Sequence, residues 1–291
     1  MTSIEIASVD VATQLANRRI RLNRRFIIGG VGLIVIVLAA VLAPLLAPFD
    51  PLQQHLNTRL QGPSATYPLG TDNLGRDVLS RLLYGLRPSL VSGLAAVALA
   101  AVCGTLIGLA AGYFGGLVDA VIGRIVDLLI AWPAIFLALG LVLVLGAGPS
   151  SVVLAIAVAE LPVFARVIRA IALTNVRMEH VEAARSMGAG GWRIMRRHIL
   201  PFAVAPLIVQ FAIAAPLAVI AEASLSFLGL GTQAPHPSLG LIISDGQQYF
   251  YQSTSGIVFP VLIVALLVLC LTLMADGLQD MLDPRRQAAM T

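Results

Sequence analysis

The chain has 291 residues, of which 58% are hydrophobic and only 12% are charged. Soluble domains carry about 45–50% apolar and about 25% charged residues, so this composition excludes an ordinary soluble domain. All 19 basic residues are arginine. A phosphate-binding Walker loop and a Schiff-base enzyme both need a lysine, so the sequence excludes both in this chain.

Six apolar runs are long enough to cross a membrane. An α-helix needs about 20 residues to span about 30 Å of hydrocarbon. The first run exceeds the apolar core of a cleaved signal peptide, about 7–15 residues, so we interpret it as a retained span. The sequence therefore predicts an all-α membrane protein with six transmembrane helices. They cover residues 26–47, 89–113, 121–146, 150–171, 201–228 and 256–275.

The arginines are distributed unevenly between the two sides of this predicted membrane protein. Most of them lie in the N-terminal tail, in the stretch 166–197 and in the C-terminal tail. Because cytoplasmic segments carry the positive excess, both termini and this stretch are predicted to be cytoplasmic. The predicted order is a cytoplasmic tail (1–25), the first span (26–47), an extracytoplasmic loop (48–88), a transmembrane core (89–275) with a cytoplasmic loop (172–200), and a cytoplasmic tail (276–291).

Small residues recur at every fourth position of the second span. On a helix they form one stripe along which another helix can approach closely. We therefore predict tight packing of this span, with a sliding gate along the stripe as the alternative. The residues of the stripe are Ala96, Ala100, Gly104, Gly108 and Gly112.

Three acidic residues, Asp127, Glu160 and Glu222, fall within apolar runs. A charged group near the bilayer centre is costly, so each is expected to face protein or water. Arg124 precedes Asp127 by about one helical turn, which predicts a structural ion pair between them, with a transport role as the alternative. Glu160 and Glu222 are candidates for lining a polar pathway or for a subunit contact.

Polar segments outside the spans are interpreted as scaffold. Residues 69–81 (LGTDNLGRDVLSR) are predicted to form an amphipathic helix on the outer face, with Asp72 as its N-cap and contact with a binding protein as the alternative. The acids of residues 276–283 are interpreted as a solvated tail. No nucleophile–base pair or metal-ligand cluster is visible, so no catalytic or metal site is predicted. The four histidines are scattered in loops: His55, His180, His198 and His236.

The largest predicted cytoplasmic loop contains the charged stretch EHVEAARSMGAGGWRIMRRHI, residues 179–199, which we call the knob. Its first half favours a helix from Glu179 to Met187, which Gly188 and Gly190–Gly191 then break. A second, basic helix is predicted from Trp192 to Ile199. On these physical grounds alone the arginines of the knob fit two partners equally well, anionic lipid or a docked protein.

The knob resembles the EAA loop of bacterial ABC importer permeases. The resemblance rests on Glu182-Ala183-Ala184, then three residues and Gly188, and on Ile199-Leu200-Pro201. The segments LGTDNLGRDVLSR (69–81), AEASLSFLGLG (221–231) and DGLQDMLDPR (276–285) resemble the dipeptide, oligopeptide and nickel subfamily, in its C-type permease.

This resemblance implies a type I ABC importer permease fold in the bacterial cytoplasmic membrane. The chain would form half of a pathway for peptides, and Glu182, Ala183, Ala184 and Gly188 would couple it to the ATPase. The implied partners are a second homologous permease, two ATPase subunits or domains, an extracytoplasmic binding protein and membrane lipid, but no nucleic acid. The chain itself would bind no cofactor, since ATP and Mg would be used by the ATPases. Two alternatives remain: a permease for nickel or another small solute, and an ion-coupled carrier that uses Glu160 or Glu222.

Overall fold

The computed structural model describes residues 23–282. The predictions about the N-terminal tail before residue 23, and about Asp283 and the C-terminal arginines, lie outside the described residues. The described part is helical, with one isolated β-bridge between Thr71 and Asp77. The helices are α1 (Arg24–Val41), α2 (Ala43–Leu46), a 3-10 turn (Leu56–Thr58), α3 (Val78–Phe114), α4 (Gly116–Ile130), α5 (Ala134–Leu145), α6 (Pro149–Asn175), α7 (Glu179–Ser186), α8 (Gly191–Ile194), a π-helical turn (Met195–Ile199), α9 (Leu200–Phe227), α10 (Leu239–Gln247) and α11 (Ser255–Leu282).

Five stretches of unbroken helix in the described chain are long and apolar enough to cross a membrane: α1, α3, α6, the run Gly191–Phe227 and α11. The third predicted span is different, because α4 and α5 meet at an angle of 94°. Pro133 lies at the break, where it has no N–H to donate to a preceding carbonyl. The all-α prediction is confirmed for the described residues, and the third span is corrected from one helix to a broken pair.

The ends of the other helices also differ from the predicted spans. Helix α3 begins at Val78 rather than at residue 89, because the side chain of Asp77 caps it by accepting a hydrogen bond from the Ser80 amide at 2.8 Å. Helix α11 continues past residue 275 to Leu282, so part of the predicted tail is helical. There Asp280 accepts a hydrogen bond from Asn23 at 3.0 Å, which corrects the interpretation of this acid as freely solvated.

The glycine stripe of α3 packs directly on α6. A Cβ atom at Gly104 would lie 2.6 Å from Cβ of Phe164, and one at Gly108 would lie 2.5 Å from the carbonyl oxygen of Ala165. Real side chains do not tolerate such distances, so only glycine allows these two backbones to approach so closely. The predicted tight packing of this span is confirmed.

The first and last described helices meet at one end of the bundle. The hydrogen bond between Asn23 and Asp280 joins the start of α1 to the end of α11. At the opposite end, Arg87 near the start of α3 donates to the carbonyl oxygens of Ala40 and Val41 at the end of α1. The start of α1 and the end of α3 therefore share one end of the bundle, as the predicted order of spans requires.

Replacing Gly108 with alanine should destabilise the protein, because the new methyl group would collide with the backbone of α6. We expect the free energy of unfolding to fall by about 1–3 kcal/mol, the usual cost of overpacking. Thermal unfolding of the full chain in detergent measures the change. Gly123→Ala is the matched control, because a Cβ there meets nothing within 4 Å. Equal stability of the two variants would show that the α3–α6 contact does not require glycine.

Candidate functional site

The knob folds as two helices joined by a tight turn. Helix α7 ends at Ser186, and Gly188 adopts a φ of 80° in the left-handed region. The Gly188 amide donates to the carbonyl of Arg185 and the Ala189 amide donates to that of Ala184, each at 3.0 Å. This pair of bonds is the Schellman motif, which glycine forms without steric cost. The predicted break at Gly188 is confirmed.

The four residues of the Glu-Ala-Ala-x3-Gly pattern divide between two faces of the knob. Ala184 is 2% exposed and, with the fully buried Val181, faces the interior. Glu182, Ala183 and Gly188 are exposed on the outer side. Ala184 therefore anchors the knob and the other three residues present its surface. The apolar cluster beneath it contains Leu109, Ile168, Ala172, Ile194, Met195, Ile199 and Ala203.

Three large apolar side chains surround this outer surface. Met178, Met187 and Trp192 are 44%, 81% and 60% exposed. Methionine adapts its shape to an apolar partner surface, and exposed apolar groups beside a charged helix are typical of a docking site. The sequence analysis did not select these residues, although apolar residues within an otherwise polar stretch were a visible signal.

The second helix of the knob is not separate from the fifth span. Helix α8, the π-helical turn and α9 form one continuous helix, Gly191–Phe227, so the prediction of an independent helix that ends before Pro201 is wrong. The knob is also held against α3, where the guanidinium of Arg185 lies 5.9 Å from the ring centroid of Tyr113. A displacement of the knob would therefore be transmitted to the fifth span through helical backbone.

The predicted ion pair between Arg124 and Asp127 is wrong. Asp127 pairs instead with Arg166 of α6, with Nη2 2.6 Å from Oδ1. In a second pair between the same helices, Nε of Arg169 donates to Oδ1 of Asp119 and Nη2 donates to Oδ2 at 2.7 Å. Arginine side chains of the neighbouring helix reach these carboxylates, and the spacing within α4 alone does not reveal them.

Glu222 is inside the fold, at 1% exposure, where its Oε1 accepts a hydrogen bond from Ser226 Oγ at 2.7 Å. Its other oxygen, Oε2, has no partner among the described residues. Such burial argues against a subunit contact for Glu222. Glu160 is half-buried on α6 and belongs to no ion pair within residues 23–282. A pathway role stays a prediction for both acids.

A polar cluster lies at the opposite end of the bundle from the knob, with Asp72, Arg76 and Arg81 buried and Asp245 partly exposed. Asp72 is not an N-cap, which corrects the prediction of an amphipathic helix over residues 69–81. Its Oδ2 accepts from Arg76 Nε at 2.6 Å and from Arg81, while both arginines also donate to Asp245 of α10, at 3.3 and 3.0 Å. Arg81 is 1% exposed. The sequence analysis missed Asp245, because this partner is far away along the chain.

Comparison with known proteins and the fold both indicate a membrane protein of the same class. Residues 104–288 match the model of a family described as "binding-protein-dependent transport system inner membrane component". Residues 12–63 match the N-terminal TM domain of oligopeptide transport permease C. The described helices define a multi-pass, all-α membrane protein. The chain belongs to this family of inner-membrane transport components.

Similar curated proteins match along most of their length. A dipeptide transport system permease protein DppC of Alkalihalophilus pseudofirmus is 38% identical over 273 residues, which covers 94% of this chain and 90% of that protein. A glutathione transport system permease protein GsiD of Pectobacterium atrosepticum is 41% identical, covering 91% and 89%. A di/tripeptide transport system permease protein DppC of Pseudomonas aeruginosa is 40% identical, covering 88% and 87%. The resemblance to C-type permeases is confirmed.

A solved structure supports the fold. A chain of the MetNI methionine ABC transporter, in an inward-facing conformation, aligns with a TM-score of 0.52 and 22% identity, and covers 72% of this chain and 96% of its own. The type I importer permease fold predicted from the sequence is therefore confirmed. Family membership also removes the reason to invoke an ion-coupled carrier.

Replacing Asp72 with alanine should destabilise the protein strongly. The change removes one of the two carboxylates that neutralise the buried Arg81, and an uncompensated buried charge costs about 3–5 kcal/mol. Thermal unfolding of the full chain measures the loss. Asp50→Ala is the matched control, because Asp50 is exposed and only accepts a hydrogen bond from the Leu52 amide. Similar unfolding midpoints for the two variants would contradict a stabilising role of the buried cluster.

Proposed function

We propose that this chain is one of two permease subunits of an ATP-driven importer, and that the pair forms a pathway for peptides across the cytoplasmic membrane. The observation that carries the proposal is the knob, whose Glu182, Ala183 and Gly188 are exposed while Ala184 fixes them to the apolar interior. Family membership supports the transport function. In this proposal the knob end of the bundle is cytoplasmic.

The knob couples ATP hydrolysis to movement of the spans. Glu182, Ala183 and Gly188, with the exposed Met187, dock into the surface of an ATPase subunit, and Ala184 keeps the docked helix rigid. Closure of the two ATPases displaces the knob, and the continuous helix Gly191–Phe227 carries this displacement into the fifth span. ATP drives such a rigid-body transition because it binds one of the two conformations of the assembly more tightly than the other. ATP and Mg are bound by the ATPases, and this chain binds no cofactor.

Peptides are the proposed substrates because of the named relatives. Two of them are permeases of dipeptide or di/tripeptide systems, and a third belongs to a glutathione system. Glutathione is itself a small peptide, so the three names share one chemical class. A binding protein on the far side of the membrane would deliver the substrate to the pathway.

Substitutions at two exposed residues of the knob should abolish peptide uptake. We expect Glu182→Lys and Gly188→Asp to eliminate peptide transport and co-purification of the ATPase, while the protein remains in the membrane. Glu179→Lys and Gly190→Asp are the matched controls, because Glu179 is exposed on the same helix and Gly190 has an ordinary φ of −67°. The docking proposal fails if transport and co-purification both survive the first pair of changes.

Uptake in whole cells distinguishes peptides from other substrates. We expect deletion of this chain to abolish accumulation of labelled dipeptides, since the pathway would lose half of its wall, and to leave nickel accumulation unchanged. Expression of this chain from a plasmid in the deletion strain is the control. Loss of nickel accumulation with normal dipeptide uptake would instead favour the nickel alternative.

A further inference from the structure

A basic patch on the knob has no role in the proposed docking. Arg193, Arg196 and Arg197 are exposed, and none of them forms an ion pair with an acid of the described chain. Ile194 and Ile199, from the same stretch, are fully buried. The patch therefore lies on the side of this helix that faces away from the apolar interior, and its charges are available to an external anion.

The depth of the patch matches the headgroup layer of a bilayer. Helix Gly191–Phe227 is continuous, and its first large exposed apolar side chain after the arginines is Phe202, at 56% exposure. Arg196 and Arg197 precede Phe202 by six and five residues, which is about 8–9 Å along a helix. Each headgroup layer is about 5–8 Å thick. If hydrocarbon begins near Phe202, the backbone of the two arginines lies at the outer edge of this layer, and their long side chains can reach the lipid phosphates.

We propose that Arg196 and Arg197 bind the phosphate groups of anionic phospholipids in the leaflet next to the knob. The flat guanidinium group forms paired hydrogen bonds with phosphate oxygens.

Charge separates this lipid surface from the proposed docking surface. Helix α7 exposes two acids, Glu179 and Glu182, beside one arginine, Arg185, whereas the start of the fifth span exposes only arginines among its charged residues. The knob thus presents Glu182 on the surface proposed for the ATPase and arginines on the surface proposed for lipid. The lipid proposal does not depend on the docking proposal, because it concerns the purified chain alone.

Lipid retention tests the proposal directly. The full chain is reconstituted in vesicles of equimolar phosphatidylglycerol and phosphatidylcholine, re-extracted in mild detergent, and its bound lipids are counted by mass spectrometry. We expect the wild type to retain phosphatidylglycerol preferentially. Each arginine near a charged membrane surface contributes roughly 1 kcal/mol, so Arg196→Gln and Arg197→Gln should each weaken retention about fivefold, and the double variant more.

Controls distinguish lipid binding from a general loss of charge or of folding. The double variant Arg196→Lys with Arg197→Lys should keep most of the preference, and Arg124→Gln, which removes an exposed arginine of α4, should keep all of it. Unchanged phosphatidylglycerol retention in both single glutamine variants would overturn the proposal. So would loss of ATPase co-purification with unchanged lipid retention, because the arginines would then face the ATPase.

Discussion

The close contact between α3 and α6 is the constraint on which the rest of the described structure depends. At Gly112 a Cβ atom would lie only 2.4 Å from Cβ of Ala172, so the two backbones nearly touch next to the knob. This contact brings Tyr113 beside Gly191 and Arg185. The knob therefore rests on the end of α3, whose position against α6 depends on glycine. A bulkier residue in the stripe would displace this end of α3 together with the rest of the span.

The end of α3 under the knob and the fifth span connect the knob to the membrane-spanning helices. Ala184 is buried in the cluster that α3 and α6 help to form, and the continuous helix from Gly191 leads from the same cluster through the π-helical turn into the membrane. A π-helical turn often marks a functional position, because the extra residue alters the helical register locally. Here it contains the exposed Arg196 and Arg197 and directly precedes the apolar helix α9, so it lies where the knob joins the span.

Local patterns in the sequence were sufficient for some parts of this structure and insufficient for others. The turn at Gly188 and the packing of the stripe could be predicted, because both follow from spacing within one segment. The partner of Asp127 could not, because Arg166 reaches it from another helix and spacing within α4 favours Arg124. The N-cap predicted at Asp72 was wrong for a related reason. Asp72 and Asp77 are both acceptable caps by residue type. Only the distant Asp245, which shares two arginines with Asp72, shows that Asp72 has another role.

The charged groups at the far end of the bundle and those between α4 and α6 are held in different ways. Around Asp72 the arginines are buried, so separating them from their carboxylates would expose an uncompensated charge to the interior. Between α4 and α6, Arg166 and Asp127 are 53% and 61% exposed, so this ion pair is much less enclosed by the chain than the pairs of Arg81. In the proposed mechanism, a rearrangement driven from the knob would change the contacts between α4 and α6 while the cluster around Arg81 stays intact.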